Sequence, residues 1–277
     1  MKKRDYRVRP AAVAGQFYPG DSATLDEAVS GYLQEAAART AQKGEPKAII
    51  VPHAGYVYSA AVAASAYTAL AALKGKIKRV ILLGPAHRVG FRGIAASSAD
   101  LFRTPLGDIP VDTTTLKKLI ASLPEVGYLD EAHVDEHSLE VHLPFLQKEL
   151  GQFKLLPFVV GQAEPEEVAA LLEPFMDDPS SLIVISSDLS HYHEYLSAQR
   201  IDAATAEKIN QLDYQHISPQ EACGAYPLRG LLLAASRHGL KPRQVDLRNS
   251  GDTAGDKSRV VGYGAWLFYP ADNREVA

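Results

Sequence analysis

Two histidines in this chain occupy the same place in two similar stretches, and that repetition is the clearest chemical signal among its residues. In residues 47–56 (KAIIVPHAGY) a short β-branched run reads as a buried parallel strand. Pro52 cannot donate to a ladder and stops it, which leaves His53 in the turn that follows. Residues 79–87 (RVILLGPAH) repeat the arrangement with Pro85 and His87. In open α/β sheets ligands bind beyond the carboxyl ends of the strands, so both turns are places for chemistry. A single strand-end histidine is ordinarily a hydrogen-bonded structural residue. Two in parallel settings, on adjacent strands about 5 Å apart, offer a pair of neutral imidazoles to one first-row metal ion.

Three further stretches hold chemistry-bearing residues. After the apolar run LIVIS comes SSDLSH, with Asp188 and His191 three apart. The plain reading is a capped turn with a surface histidine; the functional one makes His191 a general acid/base, with Asp188 orienting it or the substrate. His193 reads as solvated. In NSGDTAGD, residues 249–256, Asp252 can add a carboxylate to two histidines, the facial set of non-haem iron(II), although turn chemistry alone also accounts for Gly-Asp pairs. Residues 131–142 (EAHVDEHSLEVH) spell His133-x-x-Glu136-His137, the inverted zincin pattern. A zinc peptidase needs those residues on one long helix; no amphipathic run precedes them and Pro144 limits them downstream. A helical start over 136–142 that directs His137 and Glu140 into one pocket, with Val141, Leu143, Phe145 and Leu146 in the core, is the preferred expectation. Cys223 has no base beside it in sequence and reads as a packing residue.

The elements that must position these groups follow from periodicity. Residues 9–21 form a Pro/Gly-punctuated loop with one short strand, and Asp21 or Ser22 caps a helix after it. Short strands are expected at 93–97 and 101–104, a turn at 105–108 and a helix over 114–123. A strand at 154–160, a helix at 164–176 and a strand at 182–186 follow. Helices near 199–212 and 228–238 precede two closing strands, 244–248 and 259–269. Strands alternating with helices predict an α/β fold, one domain over residues 1–277, with a mostly parallel central sheet flanked by helices.

At 277 residues and 46% apolar the chain can bury a large core, and a net charge of −4 gives no electrostatic reason to bind nucleic acid or an anionic membrane. One cysteine rules out an internal disulfide framework and suits a reducing cytoplasm. No apolar h-region follows the basic start MKKRDYRVRP, and no apolar run approaches the roughly 18 residues of a membrane span. The expectation is a cytoplasmic protein with no membrane segment.

Taken in order, the blocks RPAAVAGQFYPGD, VPHAGYVYSA, LLGPAH, FRTPLGDIPVD, DEHSLEVHLPFLQ, SSDLSHY and NSGDTAGDKSRVVGYGA extend from residue 9 to about 265. Together they resemble the Memo-like family, which includes the B component of AMMECR–Memo–radical SAM (AmmeMemoRadiSam) systems. The resemblance implies a fold similar to the class III extradiol dioxygenases of the LigB type. Those enzymes bind non-haem iron(II) with two histidines and a carboxylate and use a further histidine as acid/base. It places His53 and His87 at the two histidine ligand positions and His191, with Asp188 beside it, at the active-site histidine. Asp252, in the loop where animal members carry a cysteine, becomes the third ligand. The implied cofactor is Fe(II), with copper or zinc as alternatives. The first functional expectation is a metal-dependent dioxygenase or oxidoreductase acting on an unidentified small molecule or peptide. The second is a non-enzymatic adaptor working with radical SAM and AMMECR-type partners. The zinc peptidase is the third.

Overall fold

The computed structural model describes residues 5–39 and 44–271. The first four residues of the basic start, used above to argue against a leader, lie outside them. The first half of the described chain contains β1 (Val8–Arg9), α1 (Ser22–Arg39), β2 (Ala48–Val51), α2 (Tyr56–Tyr67), β3 (Arg79–Pro85), β4 (Ile94–Ala96), β5 (Leu101–Thr104), β6 (Gly107–Pro110), α3 (Thr113–Ser122) and β7 (Val126–Tyr128). The second half contains α4 (Glu131–Val134), α5 (Leu143–Leu150), β8 (Lys154–Val160), α6 (Pro165–Met176), β9 (Ser181–Ser186), β10 (His191–His193), α7 (Tyr195–Asn210), α8 (Ala225–Arg237), β11 (Lys241–Asn249), α9 (Ser250–Thr253) and β12 (Val260–Tyr269).

The expected α/β architecture is present. The central sheet runs β10-β12-β2-β9-β3-β8-β4-β7, with β11 also paired to β12. Its middle strands, β2, β9, β3 and β8, are mutually parallel, while β12 and β4 flank them antiparallel. Every residue of β2 and β9 is buried, as parallel strands covered on both faces require. The step β2–α2–β3 crosses the sheet in one direction and β8–α6–β9 in the other. Right-handed crossovers therefore put α2 and α6 on opposite faces. α1 and α5 join α2, and α8 joins α6. A small second sheet, β1-β5-β6, is paired separately but touches this one where Val111, just after β6, bridges Leu155 of β8.

Three expectations change. β9 lies between β2 and β3, so the strands that end in His53 and His87 are not neighbours. One apolar run, Tyr56–Leu73, does reach 18 residues at a mean hydropathy of 1.3, but 67% of it is buried inside the protein, where its apolar residues pack on the sheet. Pro144, taken above as a stop, sits in the first turn of α5, where its missing N–H leaves no helical hydrogen bond unmade.

Candidate metal centre

At the carboxyl edge of the parallel core three strand ends and one turn meet. β2 delivers His53, β3 delivers His87, β9 delivers Asp188, and the turn between α4 and α5 brings His137. Because β9 has ended, the two strand-end imidazoles meet across it, with centroids 5.1 Å apart. His137 lies 5.5 Å from His53 and stacks on His87 at 4.8 Å. One nitrogen from each of the three rings lies within 4.8 Å of the other two.

Hydrogen-bond partners assign which nitrogens are free. The Ser186 hydroxyl donates to the Ser138 carbonyl at 2.6 Å, so it can only accept from the rings beside it. His53 Nδ1–H donates to it at 2.5 Å and His142 Nε2–H at 2.8 Å. That leaves His53 Nε2 as a lone pair. His87 Nδ1–H donates to Glu136 Oε1 at 2.9 Å, freeing His87 Nε2 in the same way. His137 Nδ1 is buried 3.4 Å from Glu136 Oε1 and makes no hydrogen bond among the described residues, a costly condition for a polar atom.

Burial sets the proton affinity of the inward-facing groups. Burial, reinforced by its histidine neighbours, holds His53 well below the usual imidazole range. Burial likewise lowers His137 to about 4 and His142 to about 3. All three are unprotonated at neutral pH, the form that ligates metals. Asp188 is pushed up to about 7 by burial, against the opposing pull of backbone hydrogen bonds from His53 and Ala54. Its Oδ1 accepts from the His53 N–H at 2.8 Å and its Oδ2 lies 3.9 Å from His53 Nε2. His191 donates Nδ1–H to the Leu189 carbonyl at 2.8 Å, so its Nε2 is also a free base. Burial lowers its affinity for a proton, and His87 is among the neighbours that add to this.

Two candidates lie elsewhere. Asp252 is exposed and caps its own short helix: its oxygens accept from Tyr195 Oη at 2.5 Å and from the Asn249 N–H at 3.0 Å. It does not join the imidazoles; the Gly-Asp turn reading accounts for it. Glu140 is fully buried but faces away, accepting from Arg9, Tyr18 and the N–H groups of Ala12 and Val13. The zincin pairing also fails. α4 ends at Val134, and His133 donates Nε2–H to the Ala95 carbonyl at 3.0 Å, away from His137.

Sequence reasoning missed two participants. Glu136 was read only as a peptidase base, yet it orients His87. Cys223, set aside as packing, places Sγ 3.3 Å from His53 Nε2. Burial and the nearby Asp188 push its thiol up, so it stays S–H and donates to that lone pair. No local pattern marks it, because the contact joins residues 170 apart.

A glycine fixes the approach of the His137 turn. A Cβ on Gly84 would meet Ser138 Oγ at 2.7 Å and Leu139 Cδ2 at 2.9 Å. Gly84→Ala must therefore displace the segment after His137. A loss of about 1–3 kcal/mol is expected from such overpacking, read as a lower denaturant midpoint, together with weaker metal uptake.

Comparison with known proteins bears on the whole chain. The family model described as Memo-like protein matches residues 9–267. A MEMO1 family protein of Sulfolobus acidocaldarius is 36% identical over 278 residues, covering 92% of this chain and 97% of that one. One from Aquifex aeolicus is 36% identical over 276 residues, covering 95% and 99%. Among solved structures, an uncharacterized protein of Escherichia coli K12 shares the fold at a TM-score of 0.50 and 14% identity, covering 80% of this chain and 99% of that one.

Proposed function

We propose, from the premise that this chain belongs to the Memo-like family, that it holds a metal ion on His53, His87 and His137 and uses it for redox or oxygenase-type chemistry on a small substrate. One observation carries the reading: three imidazoles converge with ligand nitrogens within 4.8 Å of one another. The donor set fits a first-row metal, since imidazole suits iron, copper and zinc alike, and His137 has a buried ring nitrogen without a hydrogen bond among the described residues. Fe(II) is the metal proposed, as the family resemblance implies.

When bound, such a metal supplies electron transfer and Lewis acidity to a substrate beside it. The chain's own residues do the rest. Ser186 and Glu136 hold the rings of His53 and His87 through Nδ1, which leaves Nε2 of each for a ligand, and the Cys223 thiol at His53 Nε2 gives way when one binds. His191 accepts a proton at its free Nε2. Asp188, with a carboxyl poised near neutral pH, holds or releases one at Oδ2.

The test is metal analysis of protein purified without oxygen. Near-stoichiometric iron is expected, lost in His53→Ala, His87→Ala and His137→Ala and retained in Asp252→Ala. A protein that takes up no iron, copper or zinc, and whose stability is unchanged by adding them, overturns the centre and leaves a binding protein of the adaptor kind.

A further inference from the structure

A cavity of about 510 Å³ lies at the carboxyl ends of β3 and β8, within the size range of small-molecule pockets, and no imidazole of the cluster is itself in its wall. It borders the cluster through two residues. Cys223 lines it and touches His53 Nε2 at 3.3 Å, and Ala86, also in its wall, directly precedes His87. The remaining wall divides by chemistry. Val89, Phe91, Val160 and Pro219 are apolar, Arg92, Gln162 and Tyr226 carry polar groups, and no carboxylate lines the space.

Arg92 and Gln162 are held together by the backbone. They form a parallel bridge, so their side chains leave the same side of it. The Gln162 N–H donates to the Phe91 carbonyl at 2.9 Å and the Gly93 N–H to the Gln162 carbonyl at 2.8 Å. The loop is seated directly on the end of β8: a Cβ on Gly161 would meet the Phe91 carbonyl oxygen at 2.3 Å. Arg9, Arg79 and Arg248 are ion-paired, whereas Arg92 and Gln162 are exposed, and Arg92, like Arg88 and Arg243, has no ion-pair partner among the described residues. Among the described residues neither the Arg92 guanidinium nor the Gln162 amide has a side-chain partner.

We propose that this cavity is the substrate pocket of the histidine cluster and takes a small organic acid, its carboxylate on Arg92 and Gln162 and its apolar body along Val89, Phe91 and Val160. A planar guanidinium with an amide beside it matches a carboxylate, which accepts two hydrogen bonds side by side. One cation with no second one in the lining suits a single negative charge. The apolar wall then carries the rest of the molecule toward Ala86 and Cys223, next to His87 and His53. The assignment of this space as a substrate pocket rests on the metal-centre reading; the preference for an acid rests on Arg92 alone.

The experiment separates the two. Calorimetric titration uses the full chain, both as purified and after metal stripping. The probes are monocarboxylates from butyrate to 3-phenylpropionate, each paired with its primary amide. At least one acid is expected to bind, with its amide about tenfold weaker or more, the worth of a charge-assisted hydrogen bond to arginine. Stripping the metal leaves that difference in place. Arg92→Gln brings the acid down to the level of its amide, and Val89→Trp, which takes up space along the apolar wall, weakens binding of both. Failure of every acid to bind, or amides as tight as acids, overturns the proposal. So does an acid preference that survives Arg92→Gln, or one that vanishes with the metal, since the carboxylate would then sit on the ion. If acids bind as expected while the histidine variants leave metal content unchanged, the metal centre fails and the acid pocket stands.

Discussion

Replacing Glu136 with alanine is expected to weaken metal binding by about ten- to a hundredfold, the range seen when a ligating imidazole loses the group that orients it. The carboxylate accepts three hydrogen bonds: from His87 Nδ1–H at 2.9 Å, from the His87 backbone N–H at 2.6 Å and from the Ser138 N–H at 2.9 Å. It therefore fixes His87 at both ring and backbone and ties it to the turn that carries His137. Burial alone would raise this carboxyl, but its hydrogen bonds, the one from the His87 ring foremost, outweigh that and bring it down to about 2. In the metal-free protein its stabilisation is thus complete above its usual value of 4.5 and is lost as pH falls toward 2. Glu136→Gln keeps one acceptor oxygen but must turn an amide N–H₂ toward a donor, so its loss falls between alanine and wild type. Nitrogen NMR of His87 gives a readout independent of metal. The Nδ1–H tautomer dominates in the wild type and gives way to a mixture in Glu136→Ala. A metal affinity within about twofold of wild type in Glu136→Ala would mean that something else orients His87.

The parts of this molecule that were legible in its sequence are the parts encoded locally. The β-branched runs at 48–51, 79–83, 154–160 and 182–186 announce buried strands because a strand covered on both faces has no room for polar alternation. The prolines after two of them mark where the strands end, and so where His53 and His87 emerge. The Asp21 cap is local too, its carboxylate accepting from the Thr24 N–H at 2.9 Å. What the sequence hid is pairing at a distance. Nothing within residues 79–87 says that β9 slips between β2 and β3, and nothing around Cys223 points to a histidine 170 residues earlier. Asp252 shows the converse. A carboxylate in a glycine-rich loop satisfies both a ligand hypothesis and a cap, and only the tertiary placement shows its oxygens taken by Tyr195 and Asn249. His137 lay between these cases. The density of histidines and acids in 131–142 flagged the block, but the spacing suggested a helix face, whereas the chain turns there, sending His133 to the Ala95 carbonyl and Glu140 to Arg9 while Glu136 and His137 meet His87.

The larger stability effect lies behind that turn. Arg9→Leu is expected to cost about 3–5 kcal/mol, the scale for removing one member of a buried ion pair and leaving its partner uncompensated. Arg9 is 6% exposed and Glu140 not at all. The guanidinium donates to Glu140, to the His133 carbonyl at 2.9 and 3.0 Å, and to the Glu136 carbonyl at 2.6 Å. Glu140 in turn accepts from the Ala12 and Val13 N–H groups at 2.7 and 3.0 Å and from Tyr18 Oη at 2.5 Å. Burial and the adjacent Glu140 raise the Tyr18 phenol, so it remains a donor to the carboxylate. The loss is therefore several contacts at once: two carbonyls and a carboxylate buried without their cation. It strikes the backbone at His133 and Glu136, immediately before His137, so the metal site should loosen with the fold. On a chain of this size the melting temperature should drop by roughly 10 °C. Arg9→Lys retains the charge without the planar fork and should lose less. Arg103→Leu, which breaks an exposed pair with Asp108, should leave the melting temperature essentially where it was. Thermal and denaturant unfolding of the three variants side by side decides the matter. If Arg9→Leu melts with Arg103→Leu, the buried pair is not what pins the N-terminal loop to the histidine turn.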